Sequence, residues 1–345
     1  MAILRKTNVL ILVIAIIVFL LTFLFDFTNK DEKSSDGSPK IEYNKPTGFK
    51  VPTKGLYTYI GVSADQIKKN LGEPERVDPT AYGYDWWIYG SDSQKKYLQI
   101  GIEDNKVVTI FALGDELPTQ PFKINEDASN IFKKVTLQDT LSLNYKQAQV
   151  EIEFEEDEMM VKPLIKFGDY YVQLYFDHFT NRLIGVRYWT SDILIKQRPY
   201  TIVYRGHLDT PSPPSEDQWK DIQQAESQET LEISNIFRKN HNLKPLQWDD
   251  NVAQAAYLHS KEMNDKNYFS HDSEAEGNLG DRLNAQGVQF QVAGENIAHN
   301  YTDGISAVMG WINSEGHRKN LLDKRFTQLG VGVYQKYYTQ DFTKP

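Results

Sequence analysis

The sequence contains no cysteine. A chain without thiols has no disulfides, no thiolate zinc site and no cysteine nucleophile, so its stability must come from packing. Basic residues are also in the minority, because 38 Lys and Arg face 47 Asp and Glu and give a formal net charge of −9. Nucleic acids are bound by concentrated basic faces, and this composition therefore predicts no nucleic-acid partner.

A long apolar run is present near the N-terminus. Residues 8–25 carry no charge and follow Arg5 and Lys6. The run is long enough to cross a bilayer as a helix, and no small-residue cleavage pattern follows it. We interpret it as the helix of a single-pass membrane protein, with the basic N-terminal side in the cytoplasm and the rest of the chain outside. A cleaved signal peptide, which would give a secreted protein, is the alternative.

Composition divides the 345 residues into five segments. The anchor or signal segment, 1–27, precedes a polar extracytoplasmic linker, 28–54, in which few residues are apolar. A second linker, 206–217, is rich in proline and separates two regions of globular composition, 55–205 and 218–345. We expect each of these regions to form a domain with its own core.

The middle region resembles a duplicated α+β unit. Two similar strings, YLQIGIEDNKVV from Tyr97 and YVQLYFDHFTNRLI from Tyr171, alternate as strands do and predict two hairpins. Helices are predicted ahead of them, over 63–71 and 126–135. The predicted fold class is α+β, with helices and an antiparallel sheet in each copy. We expect this domain to contact a protein partner or an envelope ligand.

The last region combines amphipathic helices with a closing hairpin. Apolar periodicity and capping residues predict four helices, over 218–240, 250–264, 279–285 and 303–313. Two strands, 328–334 and 337–342, are predicted to be joined by a turn at Gln335 and Lys336.

Three short strings in this region carry residue types suited to chemistry. FSHDS supplies His271, GENIA supplies Glu295, and WINSEGHRKNLL supplies Ser314 and His317. Two imidazoles and a carboxylate in one cleft are the raw material for a metal site or for acid/base chemistry. We predict that these segments converge on one polar cleft.

Smaller expectations concern the surroundings of this cleft. Gly316 is predicted to end the fourth helix in a left-handed cap and so to present His317 where the chain turns. His299 is expected to line the cleft at its rim, whereas His241 and His259 are expected to be peripheral. Glu295 is expected to hydrogen-bond backbone amides or a histidine, with catalysis as the alternative.

The order and spacing of five strings resemble the CAP superfamily of cysteine-rich secretory, antigen 5 and pathogenesis-related proteins: NIFRKNHNLKPLQWDDNVAQAAYLHSKEM, NYFSHDS, GENIA, WINSEGHRKNLL and FTQLGVGVY. The middle region resembles the N-terminal domain that accompanies CAP domains in some Firmicutes. The resemblance implies a C-terminal α-β-α sandwich with a cleft lined by a His, Glu, Glu, His tetrad. His271, Glu295 and His317 match three of its members. Ser314 stands where many members have the second Glu, and this loss of charge should weaken a divalent-cation site.

The sequence leaves three functions open. The first is a non-enzymatic extracytoplasmic module whose cleft binds a small ligand, a divalent cation or a cell-envelope component. The second is a metal-dependent hydrolase of peptide or wall material, in which His271 and His317 hold zinc or another divalent cation and Glu295 is the general base. The third is a structural assembly protein with a vestigial cleft. We favour the first, because the sequence has no complete nucleophile system, P-loop or H-E-x-x-H string.

Overall fold

A computed structural model describes residues 51–345. The predicted membrane segment, 8–25, lies outside the described residues. Within residues 51–345, no helix combines the length and the apolar character that crossing a membrane requires.

The N-terminal region, residues 51–205, is built mainly from strands. After a 3₁₀ helix, Leu56–Tyr59, its helices are α1 (Ala64–Leu71), α2 (Ala128–Phe132), α3 (Glu156–Val161) and α4 (Ser191–Gln197). Its strands are β1 (Arg76–Pro79), β2 (Asp85–Tyr89), β3 (Tyr97–Glu103), β4 (Lys106–Leu113), β5 (Thr140–Tyr145), β6 (Ala148–Glu153), β7 (Leu164–Phe167), β8 (Tyr170–Asp177), β9 (Arg182–Trp189) and β10 (Thr201–Arg205).

Seven of these strands form one antiparallel sheet in the order β1-β2-β3-β4-β9-β8-β7, and the other three form a small sheet in the order β10-β6-β5. The hairpins β3/β4 and β8/β9 meet at the centre of the large sheet, where β4 pairs with β9. Each hairpin has a register shift at the same place, after Gly101 in one and after Tyr175 in the other. Ser63 and Asp127 cap α1 and α2 respectively, and each also bridges to the second strand of its own hairpin. The two halves of the sheet are therefore built alike.

The two faces of the large sheet pack against different partners. One face buries Ile100 and Leu174 together with Ile67 of α1, so the region's own helices cover it. The other face buries Phe111 and Trp189 in a cluster that continues into the C-terminal region. Side chains alternate across a strand, so a sheet that is apolar on both faces needs a cover on each. The C-terminal region supplies the second cover.

The C-terminal region begins with the 25-residue helix α5 (Glu216–Asn240). Ser215 caps its N-terminus and forms a capping box with Gln218. The remaining elements are β11 (Gln247–Trp248), α6 (Asp250–Lys266), α7 (Leu279–Ala285), β12 (Val292–His299), α8 (Gly304–Ile312), α9 (Glu315–Leu321), β13 (Gln328–Tyr334) and β14 (Tyr337–Lys344). The strands pair in the order β11-β13-β14-β12. The predicted turn at Gln335 and Lys336 joins β13 to β14, as expected.

Helices lie on both faces of this four-stranded sheet. On one face, two glycines allow a helix to approach the sheet closely. A Cβ atom on Gly330 would lie 2.1 Å from the backbone nitrogen of Ala253, and one on Gly332 would lie 2.0 Å from that of Tyr257. These two glycines therefore let α6 rest directly on β13. The alternate residues of β13, such as Val331, point to the opposite face and join the core that contains α5.

Ion pairs across the junction tie the two regions together. Three such pairs among the described residues are Arg76–Glu232 at 2.5 Å, Arg187–Asp303 at 2.6 Å and Arg318–Asp177 at 2.9 Å. The side chains of Arg187 and Asp177 are almost completely buried. Removing one member of a buried pair leaves an unpaired charge, so these contacts fix how the regions dock.

The close approach of α6 to β13 predicts that Gly332→Ala is strongly destabilising. The added methyl group overlaps backbone, which has no rotamer to change, and we expect a loss of about 3 kcal/mol or more in the free energy of unfolding. Gly316→Ala is the matched control, because a Cβ there meets no atom within 4 Å and glycine is unfavourable inside α9. Urea unfolding that finds both variants equally stable would contradict this account of the packing.

Candidate functional site

The centre of the site is Glu295, in the middle of β12. Its side chain is only 4% exposed. Oε1 accepts a hydrogen bond from Nδ1 of His271 at 2.8 Å, and Oε2 forms an ion pair with Nη2 of Arg282. Both carboxylate oxygens are therefore held by strong donors. This agrees with the expected hydrogen bond between Glu295 and a histidine.

Arg282 fixes the loop that carries His271. The Arg282 side chain, on α7, is completely buried, and its Nη1 donates to the backbone oxygens of His271 at 2.7 Å and of Gly277 at 3.3 Å. A single guanidinium thus holds the carboxylate and the chain segment that presents the imidazole to it. No motif in the sequence marks Arg282, which is one residue of the short helix predicted over 279–285.

His271 and Glu295 shift each other's ionisation. The hydrogen bond that His271 donates to Glu295 raises the pKa of His271 above its usual value. Burial opposes ionisation of Glu295, but the His271 bond and the charge of Arg282 outweigh it and hold the pKa of Glu295 below its usual value. The His271 side chain is 59% exposed, so a protonated imidazole remains accessible to a ligand.

His317, on α9, lies near enough to His271 for the charge of one ring to act on the other. Its Nδ1 lies 2.9 Å from Oγ of Ser314. Burial lowers the pKa of His317, and the charge of His271 lowers it further. Asn320, one turn later on α9, donates to the backbone oxygen of Glu295 at 2.8 Å and so ties the helix to β12. We call the site formed by His271, Glu295, Ser314 and His317 the histidine cleft.

The prediction for Gly316 is wrong. The helix that contains Trp311 ends at Ile312, and a new helix starts at Glu315, so Gly316 and His317 lie inside α9. The break falls at Ser314, whose backbone is extended, with φ −111° and ψ 122°. His317 is presented by the start of a second helix, one turn from Ser314, and this spacing brings the two side chains together.

His299 lies at the edge of the region rather than among the polar groups. It ends β12, and its ring packs 4.4 Å from that of Phe269 and 5.7 Å from that of Tyr337, measured between centroids. Phe269 is two residues before His271 and is exposed. In the described chain no hydrogen bond or ion pair joins His299 to His271, Glu295 or His317.

The prediction that His259 is peripheral is also wrong. Its side chain is fully buried on α6, and Nε2 donates to the backbone oxygen of Ser270 at 2.9 Å and lies 3.9 Å from Oε2 of Glu295. Burial lowers the pKa of His259, and the charge of Arg282 adds to the effect. The spacing already contained a signal, because His259 follows Ala255 and precedes Met263 by four residues each and so lies on the apolar face of α6.

Asp341 completes the surroundings of Glu295. It is Glu295's partner in the β12/β14 pairing and is completely buried. Neither carboxyl oxygen has a hydrogen-bond partner among the described residues. Burial and the neighbouring charge of Glu295 raise the pKa of Asp341 well above its usual value, whereas the pKa of Glu295 is lowered, so Asp341 takes up a proton before Glu295 does.

The distances around Glu295 bear on the zinc site of the hydrolase alternative. Among residues 51–345 there is no group of three or more His, Asp or Glu side chains placed to hold a metal ion. Zinc ligands lie within about 2.0 to 2.3 Å of the ion, and a carboxylate that is already bonded to an arginine and a histidine does not fit that role. The cleft instead combines His271, an imidazole with a raised pKa, and His317, an imidazole with a lowered pKa.

Comparisons with known proteins agree with this arrangement of two regions. A model of the cysteine-rich secretory protein family, CAP, matches residues 231–343, and a model of the CAP-associated N-terminal domain matches residues 60–200. The membrane protein YlbC of Bacillus subtilis is 45% identical over 317 residues, which cover 91% of each chain. The chain belongs to the CAP family.

Further relatives match all or part of this CAP protein. An extracellular protein with an SCP domain from Bacillus anthracis is 42% identical, and its crystal structure superposes with a TM-score of 0.81 over 89% of this chain and 99% of the other. The protein YkwD of Bacillus subtilis is 40% identical over 120 residues, which are 34% of this chain and 47% of YkwD. A cysteine-rich secretory protein from Staphylococcus aureus shares the fold, with a TM-score of 0.75 at 23% identity over 86% of this chain and 94% of that protein.

The electrostatics of the histidine cleft predict that the pKa values of its two histidines are shifted in opposite directions. In an NMR titration His271 should have a pKa above 6.5 and His317 one below it. The stabilisation from His271 is therefore fully present below pH 6.5 and is lost as the pH rises through its folded pKa. His271→Gln is the informative variant, since removing that charge should raise the pKa of His317. An unchanged His317 titration in this variant would show that the two rings do not share a cleft.

Proposed function

We propose that this protein is a membrane-anchored, extracytoplasmic binding module, in which the histidine cleft takes a small polar ligand or a cell-envelope component. The observation that carries the proposal is the double engagement of Glu295 by His271 and Arg282. A general base needs a lone pair aimed at a substrate or a water, and here both oxygens already accept from strong donors. His271 then serves as an exposed, charged N–H donor.

Two relatives support the proposed location. YlbC is named as a membrane protein, and the Bacillus anthracis relative is described as extracellular. In this protein, residues 8–25 would be the single membrane-spanning helix, residues 28–54 the linker, and the regions 55–205 and 218–345 the two domains outside the membrane.

The pairing of a protonated and a neutral imidazole suits a ligand with both acceptor and donor groups. His271 donates a charge-assisted hydrogen bond, which is stronger than a neutral one. His317 has Nδ1 engaged by Ser314, and its Nε2 makes no hydrogen bond within residues 51–345, so it is free to bond a ligand. A carbohydrate or peptide fragment of the cell envelope carries the hydroxyl, amide and carboxylate groups that such a pair recognises.

The test is isothermal titration calorimetry of the full-length protein with soluble peptidoglycan fragments. We expect saturable binding that His271→Gln weakens about tenfold or more, because a charged hydrogen bond is lost. His207→Gln, in the exposed linker, is the matched control and should bind like the unmodified protein. Equal affinity in the His271 and His207 variants would contradict the role of the cleft.

A parallel titration with zinc chloride distinguishes the binding module from the metal-dependent hydrolase. We expect the same weak heats from the unmodified protein and from the double variant His271→Gln and His317→Gln. Micromolar zinc binding that disappears in the double variant, together with zinc-dependent cleavage of the same fragments, would replace the binding proposal by the hydrolase.

A further inference from the structure

A second cleft lies where the large sheet of the N-terminal region meets α8. Its volume is about 450 Å³, which is within the range of small-molecule sites. The N-terminal region contributes Lys162, Gln173, Tyr175 and Arg198, and the C-terminal region contributes Tyr301 and neighbouring residues. We call it the junction cleft. Neither region forms it alone, so it exists only when the two regions are docked.

The buried end of the junction cleft contains an unpaired hydrogen-bond acceptor. Gln173 is 2% exposed, and its Nε2 donates to Oη of Tyr200 at 2.7 Å. Tyr200 donates its single hydroxyl hydrogen to the backbone oxygen of Lys162. The tyrosine can therefore only accept from Gln173, and this fixes the orientation of the amide. Oε1 of Gln173 is left without a partner in the described chain.

Tyr175 adds a second polar atom of the same kind. It lies two residues after Gln173 on β8, on the same face of the strand, and is 3% exposed. Its hydroxyl makes no hydrogen bond of ordinary geometry within residues 51–345, although Arg187 and Ser306 lie close enough to interact with it. Most buried polar atoms in folded proteins are paired, so the unpaired Oε1 of Gln173 and this weakly held hydroxyl in the lining of one cleft point to a ligand.

The charge of the cleft indicates the sign of that ligand. Arg198 bonds only the backbone oxygen of Ile195, at 3.2 Å, and no carboxylate of the described residues lies within ion-pair distance of it. Lys162 is balanced by Glu158 at 2.9 Å. No Asp or Glu side chain lines the cleft. In a protein with a net charge of −9, this is a locally positive site.

The other half of the sheet has a different cover over the equivalent position. Gln99 occupies the position in hairpin β3/β4 that Gln173 occupies in β8/β9, two residues before the register shift. Oε1 of Gln99 also has no partner among the described residues, but its Nε2 lies 3.2 Å from a carboxylate oxygen of Glu229, on α5. At Gln173 the same face lines the junction cleft, and no carboxylate lies in that lining.

We infer that the junction cleft binds a small ligand that carries a carboxylate and, next to it, an N–H donor. The carboxylate pairs with Arg198, the N–H donates to Oε1 of Gln173, and the Tyr175 hydroxyl bonds a further polar atom. The ring of Tyr301 packs against the apolar part. The C-terminal end of an acylated peptide and a carboxylated amino sugar share this chemistry. The inference is independent of the histidine cleft.

Two matched pairs of probes test the inference on the full-length protein by calorimetry. N-acetyl-alanyl-alanine is compared with its C-terminal amide, and N-acetylmuramic acid with N-acetylglucosamine, so that each pair differs in the carboxylate. We expect the acid of at least one pair to bind about tenfold or more tightly than its neutral counterpart. The pair that responds identifies the source as peptide or sugar.

Variants locate the binding. Arg198→Gln should weaken the acid about tenfold or more, Arg198→Lys should restore most of the affinity, and Arg205→Gln, the same change at an exposed site outside the cleft, should have no effect. Tyr175→Phe should weaken binding in a protein that remains folded, which its melting curve checks, since the hydroxyl makes no hydrogen bond of ordinary geometry within the described residues. His271→Gln should leave this binding unchanged, which separates it from the histidine cleft.

Either of two results overturns the inference. One is that neither pair shows carboxylate-dependent binding. The other is that an acid binds to both Arg198→Gln and Tyr175→Phe as tightly as to the unmodified protein. If Arg198→Gln does not fold, Tyr175→Phe decides alone.

Discussion

The ion pair between Glu295 and Arg282 is the contact on which the histidine cleft depends. Both side chains are buried, and a buried charge is tolerated only when a partner and hydrogen bonds replace the water it has lost. Arg282 also holds the backbone of His271, and Glu295 orients and charges its imidazole. The raised pKa of Asp341 favours its neutral form, which limits the negative charge beside the pair. The exposed chemistry of His271 therefore follows from a desolvated pair beneath it.

The two folded regions act as one body for a related physical reason. The large sheet is apolar on both faces, and its own helices cover only one of them. The CAP region covers the other, with ion pairs such as Arg187–Asp303 buried between the two. The CAP region packs closely against hairpin β3/β4 but leaves an open space at hairpin β8/β9. The junction cleft is thus a consequence of placing one helical layer against a sheet with two similar halves.

Much of the fold was predictable because local signals agreed with the final packing. The helix predicted over 63–71 starts at Ser63, which caps α1, and the turn at Gln335 and Lys336 followed from alternating strands on either side. The motif residues His271, Glu295 and His317 were found because each lies in a short, distinctive string. Their convergence required only that the family order of elements be kept.

Other features depend on contacts between distant segments, which a single sequence does not show. Arg282 and Asp341 reach Glu295 through tertiary packing and sheet pairing. Gly316 was misread because a glycine after a helix commonly ends it, whereas here the chain had already broken at Ser314 and started α9. No sequence motif marks the junction cleft, because its residues come from two regions. Their interest lies in hydrogen bonds that they do not make, and a sequence does not show these.

A double-mutant cycle between Glu295 and Arg282 tests the central claim most directly. Glu295→Gln and Arg282→Leu are measured singly and together by urea unfolding. A buried, coupled pair predicts that each single change is strongly destabilising and that the double variant loses less than their sum, by about 2 to 3 kcal/mol. Strictly additive losses would mean that the pair does not organise the cleft, and would contradict the account.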